Sequence, residues 1–512
     1  MKSSRLQLTI KNAKWTAFFS IIILVVNFFS RSVFIDHLGT SIVGLTATIS
    51  SIIGFLNLAE LGVGAAVTQA LYKPLYDNDN KRIVEIVALL GLFGKIIGAV
   101  ILVGGIVIAP FLPDWLMMGD GITTYEIYIA LGAILFTTIL SYWANYKQIM
   151  VVAAGRSYAI TIILNTVLVL KLTTQMGCLV VLDMGFESFL AAEVIFAIAY
   201  ALTLEMYTRK KYPWLQTSWQ NAKKYWREEK LILTNVRRIF SSKIGVTILL
   251  QSDNLVIQTL MGFKEVTYYT NYTMLMGRIV QIIATMLGNS NAAVGELVCA
   301  DDKAKTQHVH RQYTAMFIYL GGLVAFGFYT LINPFIDLWL TGQTLYDNTI
   351  VLLLSFNLFI AVYRRSNDIF LNAYGLFNDV WASWSEAALN LILSIILTLH
   401  YGIIGVVIGT AVATFLNTLV WKPYFLYTQG LKLNLGSFYK TFLSLTLMVG
   451  IAWGTATSID NLIKFNDNWI GLILRGLTSV GIYTILSTLL MAAISPAMRS
   501  LLVIAKGWVL KK

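Results

Sequence analysis

Residues 15–36 read WTAFFSIIILVVNFFSRSVFID, with Arg31 as their one basic residue. A helix over this stretch, rising about 1.5 Å per residue, covers the ~30 Å hydrocarbon core of a bilayer. It is apolar all round, unlike the one-sided pattern of a helix lying on a globular core. Thirteen further runs of the same kind follow, near 42–70, 84–110, 123–146, 157–181, 187–208, 239–260 and 267–298, then 312–332, 347–371, 381–400, 403–427, 438–458 and 469–494. The region 438–494 is the least sharply bounded, so twelve or thirteen spans are alternatives to fourteen. The whole chain agrees: of 512 residues, 57% are hydrophobic and 12% charged, about half the charge of a soluble chain. The fold class expected is an all-α integral membrane protein of about fourteen transmembrane helices.

The net charge of +12 raises the question of nucleic acid, which calls for a basic face with aromatic platforms. Here the basic residues stand instead in short gaps between apolar runs. With the amino terminus inside, all but seven of the 38 Lys and Arg fall in inner segments; the seven are Arg31, Lys95, Lys171, Lys264, Arg278, Lys464 and Arg475. The positive-inside rule therefore accounts for the charge, places both termini in the cytoplasm and leaves no role for nucleic acid. The retained first helix has no cleavage-like site after it. Two cysteines, Cys178 and Cys299, do not form a disulfide framework.

A weak internal repeat divides the chain. A shift of 223 residues lays Leu38-Gly39 on Met261-Gly262, Val43 on Val266, Gly54 on Gly277 and Asp79 on Asp302. A shift of 220 lays Ala153 and Gly155 on Ala373 and Gly375. The expected organisation is an amino-terminal lobe of six spans (1–208), a basic cytoplasmic linker (209–238), a second six-span lobe (239–430), and two extra helices with a basic tail (431–512). Six is even, so the second lobe enters the membrane in the same direction as the first. The lobes are then related by an axis along the membrane normal and leave a cleft between them. The linker carries Tyr212, Trp214, Trp219, Tyr225 and Trp226, suited to lying along an anionic lipid surface.

Ionisable groups inside spans are costly and face a cavity or a partner. Arg31, Lys95, Lys171 and Arg278 are the candidates for a cationic cavity that would neutralise a diphosphate head group. Arginine suits this because its planar fork pairs phosphate oxygens bidentately. The alternatives are structural ion pairs for Arg31 and Arg278, and snorkelling to the interface for Lys95 and Lys171. Asp253 and Glu60 are candidates for binding a coupling H⁺ or Na⁺, or else for anchoring helices by hydrogen bonds; Glu193 and Glu386 are weaker examples. His308 and His310, placed in a cytoplasmic turn, lack the companions of a metal site. No phosphate-cradling loop marks an ATP-driven pump, no Ser/His/Asp arrangement is visible and no cofactor is called for. The outer loops, of which 110–123 and 333–346 are the longest in each half, are too short for the outer catalytic domain of a glycan-building enzyme.

Arg31-Ser32-Val33-Phe34 to Leu38-Gly39, Gly44-Leu45, Leu58-Ala59-Glu60-Leu61-Gly62-Val63-Gly64 and Leu71-Tyr72-Lys73-Pro74-Leu75 form a connected pattern. Ser252-Asp253-Asn254, Tyr268-Tyr269-Thr270-Asn271-Tyr272, Asn372-Ala373-Tyr374-Gly375-Leu376-Phe377 and Tyr401-Gly402-Ile403-Ile404-Gly405 echo it in the second half. Across residues 30–410 the chain resembles the polysaccharide flippases of the multidrug/oligosaccharidyl-lipid/polysaccharide exporter (MOP) superfamily. The resemblance implies two six-helix lobes around a central cavity, usually with two extra helices. It implies an undecaprenyl-diphosphate-linked oligosaccharide as substrate, carried across a bacterial inner membrane for O-antigen, capsule or exopolysaccharide assembly. Association with a polysaccharide polymerase would suit that role. Arg31 and Arg278 fall where lipid-diphosphate flippases of this superfamily carry cavity arginines. The alternatives are a cation-coupled multidrug exporter, whose cavity should be more acidic, and a membrane-embedded glycosyltransferase or polymerase.

Overall fold

The computed structural model describes residues 5–56, 70–71, 74–75, 77–116, 121–217, 245, 247–249, 251–286, 290–299, 302–343, 345–376 and 378–510. Among these the chain is helical and contains no strand, and eleven helices are long and apolar enough to cross a membrane. The all-α membrane class expected from hydropathy is the class found. The expected runs at 42–70, 239–260 and 267–298 lie partly outside the described residues, as does most of the 209–238 linker. The chain separates into two compact units, Met1–Thr267 and Tyr268–Lys512.

In the first unit, Lys14–Leu56 runs as 43 residues of nearly continuous helix. At about 1.5 Å per residue that is twice the hydrocarbon thickness. Gly39 resolves the excess: its φ of 81° and ψ of 160° are not helical, and only glycine takes that conformation at little cost. Two helices therefore meet there. The helix Asn80–Ile108 starts where the Asp79 side chain accepts from the Arg82 amide at 3.0 Å. It packs on Thr124–Ala144 through glycines. A Cβ at Gly94 would stand 2.5 Å from the Tyr142 carbonyl oxygen, and one at Gly98 would stand 2.2 Å from the Trp143 indole nitrogen. Helices in lipid gain little from burying apolar surface against one another, so such backbone approach supplies the contact. Gly94→Leu is expected to abolish the monodisperse detergent-solubilised species seen by size exclusion; a peak of wild-type height and position would refute this packing.

Two further helices of this unit, Ser157–Val180 and Phe186–Lys211, are joined to the rest by polar bridges. The Lys147 ammonium contacts Glu205 at 2.8 Å, and Arg209 reaches the same carboxylate at 2.7 Å. Asn12 ties the first helix to the turn before Ser157: it donates to the Gly155 carbonyl at 3.1 Å and accepts from the Tyr158 amide at 2.9 Å. The first residues of the expected linker fold back, with the Tyr146 and Thr217 hydroxyls 2.7 Å apart.

In the second unit, Lys303–Trp339, Asn348–Ala373 and Val380–Tyr401 are followed by a span from Ile403 to Leu431. That span widens into π-helical turns at Leu416–Trp421 and Leu426–Leu431, on either side of Pro423. Proline has no N–H to offer the carbonyl four residues back. The Leu419 carbonyl accepts instead from the Tyr439 hydroxyl, at 3.0 Å, on the next helix, Leu435–Asp460. A freed carbonyl in lipid needs such a donor. Trp469–Ile494 completes the spans, and Pro496–Leu510 follows.

The repeat read from sequence reappears in backbone geometry. Gly39 and Gly262 have φ of 81° and 95°. Asp79 and Asp302 each accept from the amide three residues on, both at 3.0 Å. The turns at Gly155 and Gly375 match bond for bond. Ala154, Gly155 and Arg156 donate to the carbonyls of Met150, Val152 and Val151; Tyr374, Gly375 and Leu376 donate to those of Phe370, Asn372 and Leu371. In each turn the glycine lies in the left-handed region, as helix-ending motifs require.

Candidate functional site

Of the residues singled out for a cationic site, Arg31 lies in the first helix and is partly buried. Its guanidinium donates to the Thr267 carbonyl at 3.5 Å. The Thr267 hydroxyl in turn donates to the Thr40 carbonyl at 2.6 Å, one residue past the Gly39 break. Further along, the Asn254 amide donates to the Ser51 hydroxyl at 3.0 Å. A Cβ at Gly44 would lie 2.1 Å from the Phe263 carbonyl oxygen. The first helix pair and the segment 251–267 thus pack closely, with Arg31 and the buried Asp253 on these two elements of one unit. Glu60 lies outside the described residues.

The other basic candidates have different surroundings. Lys171 forms an ion pair with Glu193 at 2.8 Å. The amide of Gln175, one turn on, donates to the Phe189 carbonyl at 2.9 Å and to Glu193 at 3.3 Å. Lys171, Gln175 and Glu193 therefore bind the Ser157–Val180 and Phe186–Lys211 helices together. Lys95 is exposed on the Asn80–Ile108 helix, and its backbone carbonyl accepts from the Trp143 indole at 3.4 Å. Arg278, in the helix Phe263–Met286, is partly exposed and donates to Gln281 at 3.2 Å.

Sequence reading missed a charged network in the second unit. Arg364 and Lys422 count there among the inner basic residues, although they fall within the 347–371 and 403–427 runs, and the structure pairs both with carboxylates. Arg364 forks onto Glu386 at 2.7 and 3.2 Å. It also lies 3.9 Å from Asp368, which accepts from Lys422; Asn417 donates to Glu386. The signal was available as Arg364 and Asp368 four residues apart in one span, the spacing that brings helix side chains together. His310 lies in a helix rather than a turn. It is buried, with its ring edge-on to Phe370 and its Nδ1 3.3 Å from the Tyr427 hydroxyl. Among the described residues no cluster of metal-ligating side chains occurs.

No protein-family model matches the sequence, and the search of curated proteins finds no match. Solved structures do match. The lipid II flippase MurJ in an inward-closed conformation superposes with a TM-score of 0.62 at 16% identity, covering 95% of this chain and 99% of its own. An inward-facing multidrug resistance MATE transporter of the MOP superfamily gives 0.62 at 15% identity, over 82% of this chain and 99% of its own. A MOP superfamily transporter from Pyrococcus furiosus, described as having a binding pocket of reverse polarity, gives 0.56 at 14% identity over 84% and 96%. The chain carries the fold shared by these flippase and transporter structures.

Proposed function

We propose that this chain is a flippase that moves an undecaprenyl-diphosphate-linked oligosaccharide across a bacterial inner membrane for surface polysaccharide assembly. The observation that carries this reading is the extent of the match. A structure named for a lipid-linked substrate covers 95% of the chain, whereas the multidrug resistance MATE structure covers 82%. Arg31 gives the head group a cation whose fork matches phosphate oxygens. Arg278 would serve similarly in the second unit, while the polyprenyl tail stays in lipid. Both termini would be cytoplasmic, and transport would proceed by alternating access. A proton or Na⁺ at Asp253, with Glu60 as the other candidate, would reset the cycle. Lys95 is a secondary contact for the diphosphate. For Lys171, the bond to Glu193 favours a helix-joining role.

The test is complementation of bacterial strains that lack their own oligosaccharide-lipid flippase, scored by surface glycan. Restored glycan in at least one strain is the expected result. Resistance to cationic drugs with glycan restored in none would overturn the proposal in favour of a multidrug exporter.

A further inference from the structure

A cavity of about 260 Å³ opens between the end of Lys303–Trp339, the end of Leu435–Asp460 and the start of Trp469–Ile494. Under the orientation proposed above this is the outer end of these helices. The cavity belongs to the second unit alone and shares none of the cationic candidates.

Its wall is built before any ligand arrives. Asp460 is held by the Arg475 guanidinium at 2.6 Å and by the Ser479 hydroxyl. The turn 461–468 lies directly on the last span: a Cβ at Gly471 would stand 1.9 Å from the Asn466 carbonyl oxygen. Asn468 accepts from the Gly471 amide at 2.7 Å and closes the turn. A preformed wall loses little conformational freedom when it binds.

The lining is rich in groups that pair with hydroxyls. Asp337 and Asp467 supply carboxylate acceptors, while the Asp460 carboxylate is already engaged by Arg475 and Ser479; Asn461, Asn466 and Asn468 supply amides that both donate and accept. Phe465 and Leu338 give an apolar face. Three carboxylates against the one guanidinium of Arg475 disfavour an anion. Among the described residues no group of three or more metal-ligating side chains occurs, so these carboxylates form no metal site. The volume falls below the ~300–1,000 Å³ of pockets for drug-sized ligands, which suits one sugar ring rather than a whole oligosaccharide. We infer that this cavity binds a single neutral sugar unit, as a subsite for the glycan on the outer face. The inference rests on the flippase reading for its biological meaning, while the binding itself is independent of transport.

The full chain in nanodiscs, mixed with glucose, galactose, mannose, N-acetylglucosamine or glucuronate, would be followed by saturation-transfer NMR. At least one neutral sugar is expected to bind saturably, and glucuronate more weakly than that sugar. Asn461→Ala and Asp467→Ala, both at exposed loop positions, should each weaken binding about tenfold, the effect of removing one hydrogen bond worth ~1.4 kcal/mol. No saturable neutral sugar, tighter binding of glucuronate, or unchanged binding in both variants would overturn the assignment. Absent sugar binding beside restored surface glycan would remove the subsite and leave the flippase. Variant-sensitive sugar binding beside resistance to cationic drugs and no restored glycan in any strain would do the reverse.

Discussion

Arg31→Ala is expected to bring surface glycan down to the level of cells carrying empty vector, with the variant still inserted in the membrane at wild-type amount. An arginine within a span costs roughly 2.5–3.5 kcal/mol on insertion scales, so its contribution must be recovered in contacts. A hydrogen bond to a charged group contributes about 1.5–3 kcal/mol. Losing one such bond to a diphosphate slows transport ten- to hundredfold or more, by about tenfold per 1.4 kcal/mol. Arg31→Lys keeps the charge but not the fork and should fall between wild type and Ala. Lys171→Gln serves as the contrast. It breaks the 2.8 Å pair with Glu193, so it should lower the melting temperature of the purified protein and leave export in place. Melting curves on the same preparations separate loss of fold from loss of transport. Wild-type glycan in Arg31→Ala at matched expression would take Arg31 out of the mechanism.

Hydropathy made the spans legible because a membrane helix must satisfy its backbone internally and show lipid an apolar surface for its full length. That constraint acts on every residue of a run, so 157–181 and 403–427 stand out in sequence and return as Ser157–Val180 and Ile403–Leu431. The repeat was legible for a narrower reason. Gly39, Gly155, Gly262 and Gly375 all sit at positive φ, where a side chain would be strained. What sequence left obscure is pairing. Arg364 and Lys422 stand near span ends, and their charge alone reads as topology. Only the fold brings Glu386 to Arg364, and Lys422 to Asp368, each from a separate helix. The Tyr439 hydroxyl is a similar case, since its partner is a carbonyl freed by Pro423 on another helix.

That hidden network supplies the largest stability effect expected of one substitution. Glu386 is 1% exposed in its side chain and Arg364 is 22% exposed. Arg364 places two donors on the Glu386 carboxylate while Asn417 supplies a third. Lys422 and Asp368 add a second pair, so the four ionised groups sum to zero charge across three helices. Glu386→Ala removes one carboxylate and leaves Arg364 and Lys422 to share Asp368 in a poorly solvated site. Breaking a buried pair from one side costs about 3–5 kcal/mol, most of it the uncompensated charge left behind. The variant should therefore melt well below wild type in detergent and accumulate poorly in membranes. Arg364→Met combined with Glu386→Leu should recover much of the loss, because it removes both charges and fills the space with apolar groups. The double variant would then be more stable than the sum of the two single changes allows, which is the signature of direct coupling. A Glu386→Ala protein that melts like wild type would show that the network contributes nothing to the fold. Strict additivity of the two single variants would show that Arg364 and Glu386 do not act as a pair.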